Sequence, residues 1–256
     1  MKYLALSFDD GFASFKEIVL PILNKFSFKA SINVVTGFSD GTISNEFPRL
    51  SISDIQSLHL QGHEIVLHSN SHLKPTNIKD FEEANTKIQK WIGEGKRGAI
   101  IPYSQSISDD LYEYLKQNCL YVADYSQHEI KRSFKEQVFR IKNFFHRSVF
   151  GNYVVTSHYY LYNKQSIDKN FPAFVRLPVK KDCSPEEIIK ILKMAPNNSC
   201  LTIVFHSVIE NASENVEWPK GTWTKDKFEN LLSRINKIKN IKVLTQKELF
   251  NVVCNN

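Results

Sequence analysis

The feature that most constrains this chain is a rhythm. Over the first 125 residues five short apolar runs appear: "YLALSF" (3–8), "KASINVVT" (29–36), "HEIVLH" (63–68), "GAII" (98–101) and "LYVADY" (120–125). Between them lie segments of helical spacing at about 14–27, 52–61, 78–93 and 107–118. Strand, helix, strand, helix in this order requires crossover connections, and so predicts βα units and a mainly parallel sheet. The punctuation agrees. Ser51 or Ser53 can cap a helix whose Ile55, Leu58 and Leu60 face inward, with Gly62 at its end. A serine again precedes Asp109, Asp110, Leu111, Tyr114 and Leu115.

Residues 126–170 break the rhythm with Lys, Arg, Phe and Tyr, and helical spacing returns only at 133–147. The alternation then resumes with "FVRLPV" (174–179), a helix from Ser184 and Pro185 to about Met194, "CLTIVFHS" (200–207), a helix at 224–239 and a last strand "IKVLTQ" (241–246). No Pro/Gly/Ser linker divides the chain, so 1–256 reads as one domain with a basic-aromatic insertion at about 126–170. About seven strands with helices between them suggest a barrel or an incomplete one.

Charge and cysteines narrow the function classes. Lys and Arg total 33 against 27 acids, a net +6 spread along the chain without a basic-aromatic recognition motif, which argues against nucleic acid as partner. Cys119, Cys183, Cys200 and Cys254 form no CxxC pair and read as buried thiols. Before Ser7 there is one Lys and then only four apolar residues, too few for a signal-peptide core. No apolar stretch approaches the roughly eighteen residues that span a bilayer. The expectation is a cytoplasmic protein without a transmembrane segment.

In parallel α/β sheets chemistry collects at the carboxyl ends of strands. The first run ends in Asp9-Asp10-Gly11, the third in His68-Ser69-Asn70-Ser71-His72 and the seventh in His206. Two imidazoles four residues apart can face one way on a helical turn, and with one carboxylate they make a His₂Asp set with an open position on Zn²⁺. The cation would neutralise one aspartate and leave the other free to accept a proton from water. Each piece also has a plainer role: a turn with a helix cap, a hydrogen-bonded loop, a core histidine. His63, in "GHEI", reads as a structural group bonded to backbone.

These residues resemble the NodB-like polysaccharide deacetylases, carbohydrate esterase family 4. "SFDDG" resembles the family's TFDDG motif, "GHEIVLHSNSH" its GHE(I/L)…H(S/T)xxH motif, and "LTIVFHS" its final strand ending in histidine. "WTKDKFENLLSRINK" and "KVLTQKEL" resemble the closing helix and strand. The resemblance implies a distorted (β/α)7 barrel and metal-dependent removal of an N- or O-acyl group, foremost N-acetyl, from a sugar. Asp10, His68 and His72 would then hold Zn²⁺, Co²⁺ or Ni²⁺, with Asp9 as general base and His206 as general acid. A backbone N–H near Tyr103 would share the oxyanion, with Ser69 and Ser71 supporting the ligands.

The third motif departs from the family. "AIIPYSQ" keeps Pro102 and Tyr103 but carries Ile100 where an arginine that pairs with the base would stand, and Ser104 for glycine. Arg176, in "FVRLPV" and read as the end of another strand, is the expected substitute, in preference to Arg97. Pro102, Tyr103, Trp218 and Trp223 are expected to touch substrate, the two tryptophans as a sugar-stacking rim or else as loop anchors. An acylated saccharide precursor, carrier-linked and anionic, suits the net charge, and the insertion suits peripheral membrane contact. Two alternatives stand beside this reading: hydrolysis of a small non-sugar amide on the same metal site, and a catalytically weakened carbohydrate-binding module.

Overall fold

A computed structural model describes residues 1–123, 173–174, 176–195, 197–211 and 221–254. The expected insertion at 126–170 and Trp218 lie outside the described residues. The wall of the molecule is a parallel sheet of β1 (Lys2–Phe8), β2 (Ser31–Val34), β3 (Glu64–Leu67), β4 (Arg97–Ile100), β5 (Cys119–Ala123), β6 (Ala173–Phe174), β7 (Arg176–Pro178) and β8 (Cys200–Phe205). The hydrogen-bonded order is β6-β5-β4-β3-β2-β1-β8-β7. Only residue 175 separates β6, paired to β5, from β7, paired to β8, so this one segment joins both edges. The sheet therefore curls on itself as the distorted (β/α)7 barrel, and its strand ends share one mouth.

Helices α1 (Leu20–Lys25), α2 (Thr36–Ser39), α3 (Ile52–Leu60), α4 (Ile78–Ile92), α5 (Asp109–Asn118), α6 (Pro185–Met194) and α7 (Lys225–Asn236) supply the crossovers. Their starts follow from sequence. Ser51 and Asp54 form a reciprocal capping box on α3, and Ser184 and Glu187 another on α6, where Pro185 fits the first turn. Asn77 and Ser108 accept backbone N–H groups of α4 and α5. The helix expected at 14–27 begins as a π-helical turn over Phe15–Val19, two residues before Pro21, whose missing N–H interrupts the regular ladder. No helix among the described residues is long and apolar enough to cross a membrane.

The period of two along each strand sorts side chains into two layers. On β1, Leu4, Leu6 and Phe8 pack outward with the helices, whereas Ala5 and Ser7 look inward. The outer layer holds an aromatic knot in which Phe8 and Phe205 stack at 5.3 Å, with Phe15 and Phe228 edge-on to Phe8. Truncating Phe8 or Phe228 to Ala should cost about 3–5 kcal/mol.

Inside the barrel, Ala5, Val66, Ile100, Tyr121 and Ala123 meet Leu249. Leu249 belongs to α8 (Gln246–Cys254), which follows β9 (Ile241–Leu244), a strand paired to the first half of β1. The last strand thus stops short of the 246 expected, and a helix absent from the sequence reading packs against the barrel interior. Glu64 fixes it: its carboxylate accepts from Ser31 Oγ at 2.6 Å, Tyr121 Oη at 2.7 Å and the Lys247 N–H at 2.9 Å. His63 is structural, as expected: its Nδ1 accepts the Ala30 N–H, and burial pushes its pKa down to about 4.

Candidate metal centre and its flanking groups

Adjacent residues on a strand point to opposite faces, so two neighbouring aspartates cannot both enter one site while the strand continues. The chain solves this by ending β1 at Phe8. Asp9 keeps the inward direction of Ala5 and Ser7 and is buried. Asp10 then turns left-handed, φ 69°, followed by Gly11 at φ 62°, a conformation glycine adopts without strain. That turn brings the second carboxylate to the mouth.

There Asp10 Oδ1 lies 3.3 Å from His68 Nε2 and 3.1 Å from His72 Nε2. One ligand atom from each of the three residues falls within 4.8 Å of the others. His68 continues the inward face of β3 and is buried, and its Nδ1 lies 2.9 Å from the Ile100 carbonyl. A carbonyl only accepts, so Nδ1 carries the proton and Nε2 presents its lone pair, as a metal ligand requires. The donor set thus fits a divalent transition metal with an open position.

The histidine pair does not share a helical turn. Residues 68–72 form a loop with Ser69 at φ 64° and His72 at φ 55°. Ser69 Oγ accepts the His72 N–H at 2.9 Å, and Asp80 Oδ1 on α4 accepts the Ser71 N–H at 3.0 Å. Ser69 therefore supports His72 with its hydroxyl, and Ser71 through its backbone. Of the seven non-glycine residues with positive φ among the described residues, five (Asp10, Ser69, His72, Tyr103 and Ser104) lie on the loops at this mouth. Such conformations cluster at functional sites in folded proteins.

Asp9 stands outside the triad. Its Oδ1 accepts from Asn33 Nδ2 on β2 and from an Arg176 Nη2 on β7. Both donors also reach Ser7 Oγ, at 2.8 and 3.0 Å. Arg176 is not at a strand end as expected. It opens β7 level with Thr202, and its buried side chain climbs inside the barrel to the mouth. Burial alone would raise the Asp9 pKa, but Arg176, His68 and His206 outweigh it and hold the carboxyl below its ordinary value. Burial opposes ionisation of Asp10 too, and the two imidazoles bring it well below the usual range. For His68, burial is outweighed by Asp10 and Asp9, which raise its pKa.

His206 follows Phe205 at the end of β8, beside Asp9, whose N–H bonds the Phe205 carbonyl at 2.9 Å. Its Nδ1 is buried without a hydrogen-bond partner among the described residues. Gly221 lies against it so closely that an added Cβ would come within 2.2 Å of that nitrogen. Pro102 is buried, whereas Tyr103 is exposed and stands 4.6 Å from the His72 ring. Trp223 corrects the expected stacking rim. It is 1% exposed, packed on Phe205, with Nε1 donating to the Lys180 carbonyl at 2.9 Å. It is a loop anchor, with no face open to a sugar.

Sequence reasoning missed Asn33 and Arg49. Asn33 left a signal, a polar side chain inside the apolar run "KASINVVT". Arg49, between α2 and α3, donates from Nη1 to the Asp10 carbonyl at 3.0 Å, but nothing in its sequence neighbourhood announces that contact.

No curated protein matches the chain. Among solved structures, a family 4 acetyl xylan esterase from Clostridium thermocellum in complex with a cobalt ion is similar, at 17% identity and a TM-score of 0.51, over 98% of this chain and 91% of that one. The peptidoglycan deacetylase PdaC from Bacillus subtilis (mutant D285S) matches at 14% identity and TM-score 0.55, over 99% and 92%. A mutant of BA3943, a CE4 family pseudoenzyme with restored enzymatic activity, matches at 11% and 0.54, over 97% and 67%. At these identities the likeness establishes the fold. Residues 1–123, which carry the Asp9-Asp10-Gly11 turn and both metal-site histidines, match the family model described as polysaccharide deacetylase.

Proposed function

We propose that this protein is a metal-dependent hydrolase that removes an N-acyl group, foremost acetyl, from a sugar or saccharide precursor. The observation that carries this reading is the pairing of two different aspartates at one mouth. Asp10 converges with His68 and His72, while Asp9 stays beside them on Arg176 and Asn33. A divalent cation held by Asp10, His68 and His72 would supply Lewis acidity toward an acyl carbonyl and lower the pKa of water. The cobalt ion of the acetyl xylan esterase supports such a metal here.

The remaining groups divide the proton work. Asp9, ionised through its contact with Arg176, accepts the proton of the attacking water. His206, just past the end of β8, delivers a proton to the leaving amine nitrogen. A backbone N–H at the left-handed turn of Tyr103 and Ser104 would stabilise the acyl oxygen as that oxygen gains charge. Tyr103, with its ring against His72, forms an open lip on which a sugar ring can stack.

Ile100 in place of the family's arginine motivates one second reading, a fold that binds acylated saccharides without turning them over. Arg176, which brings a charge to Asp9 from another strand, weighs against it. The test is acetate release by the zinc- or cobalt-loaded protein from a panel of N- and O-acetylated oligosaccharides. Release abolished by Asp9→Ala supports the proposal. Stoichiometric metal with no release from any member favours binding alone.

A further inference from the structure

Arg49 stands at the edge of the metal centre, bonded to the Asp10 backbone. Its guanidinium packs against the rings of Phe12 at 3.9 Å and Phe38 at 4.9 Å. Nε donates to Asn45 Oδ1 at 2.7 Å and Nη1 to the Asp10 carbonyl at 3.0 Å. Nη2 makes no hydrogen bond, and no carboxylate pairs with Arg49 among the described residues. The group is half-buried, and burial lowers its pKa despite the raising effect of Asp10. Desolvating a cation without an ion-pair partner is unfavourable, and an anion at Nη2 would offset that cost.

The geometry is one of preorganisation. The segment at 48–50 is zipped to the Asp10-Gly11 turn: Phe12 bridges Arg49, Ala13 N–H bonds the Pro48 carbonyl, and Leu50 N–H bonds the Gly11 carbonyl. Two aromatic contacts and two hydrogen bonds fix the guanidinium plane, so an anion meeting Nη2 finds its donors already oriented. Phe38, which touches Arg49, also lies 6.2 Å from the His72 ring. An anionic group on Arg49 would therefore stand close to the metal ligands.

We infer that Arg49 is an anion subsite, and that the ligand of this mouth is an acidic saccharide carrying a carboxylate or phosphate beside its acyl group. This rests on the saccharide reading above and deepens it to an acidic class.

Binding tests it independently of turnover. Metal-free protein is titrated with glucuronate, glucose 6-phosphate and glucose by NMR, which removes direct metal–anion contacts. The expected result is saturable binding of one or both anions and none of glucose, with shifts at the Arg49 side chain and the Phe12 and Phe38 rings in the wild-type protein. Arg49→Met should weaken anion binding at least tenfold and Arg49→Lys by less. Which anion binds more tightly identifies the acidic group. If neither anion shifts those resonances, or if both bind Arg49→Met as well as wild type, the subsite is refuted and Arg49 serves only to brace the Asp10 turn. Acetate release from neutral sugars would leave the deacetylase reading standing in that case.

Discussion

Arg176 and Asp9, 167 residues apart in sequence, meet in the barrel interior, where the guanidinium donates to Asp9 Oδ1. The arginine side chain is fully buried and the aspartate nearly so. Removing one partner leaves the other charged and uncompensated. Arg176→Met should therefore lower stability by about 3–5 kcal/mol. The kinetic consequence has a definite sign. Arg176 lowers the Asp9 pKa, and a base works only when ionised, so the acidic limb of kcat/KM should move to higher pH in Arg176→Met. At mildly acidic pH the loss should reach roughly 10²-fold. A pH–rate profile from 4 to 9 reads this directly, and an unmoved acidic limb contradicts it.

Gly221 offers a test of His206 that leaves the histidine in place. An added Cβ would fall 2.2 Å from Nδ1, so the ring must shift in Gly221→Ala. His206→Ala should lower kcat by roughly 10²–10⁴ with metal still bound, as the loss of a general acid does. Gly221→Ala should reproduce part of that loss, at least about tenfold, at unchanged metal content. Wild-type kcat in Gly221→Ala would show that His206 needs no fixed position.

His63 sets an acid limit on stability. The folded protein holds it neutral with a pKa of about 4, against 6.5 for the free side chain. Between those values the unfolded chain binds the extra proton, so stability falls as pH drops through this window, by up to about 3 kcal/mol. Urea unfolding at pH 7 and pH 4.5 should show the decline, and His63→Gln should flatten it. Equal slopes in the two proteins would remove His63 from the account.

Glu64 latches the C-terminal helix. Glu64→Ala strips an acceptor from Ser31, Tyr121 and the Lys247 N–H at once. The expected cost is about 1–3 kcal/mol, with faster amide exchange across 246–254 than in wild type. Exchange unchanged in that segment would place the latch elsewhere.

Much of this architecture was legible in sequence because βα alternation and strand-end placement are local signals. Strands 3–8 and 63–68 fall within a residue or two of β1 and β3, and the serine caps of α3, α5 and α6 stand where the pattern puts them. Helix α8 was missed although Thr245 and Glu248 form a T-x-x-E box, because the segment lies at the end of the chain and its apolar face is short. The His68–His72 geometry was misjudged for a different reason. An i, i+4 spacing suggests a helix, but left-handed turns at Ser69 and His72 produce the same convergence from a loop. Trp223 and Arg49 depend on long-range packing, which no local pattern encodes.

The central claim is that Asp10, His68 and His72 grip one cation while Asp9 does not. The most direct measurement is metal content and zinc affinity of wild type, Asp10→Ala, His68→Ala, His72→Ala and Asp9→Ala. The account predicts one tightly held ion per chain in wild type and in Asp9→Ala, and its loss in the other three. Undiminished metal in any of those three, or none in wild type supplied with zinc, would contradict it.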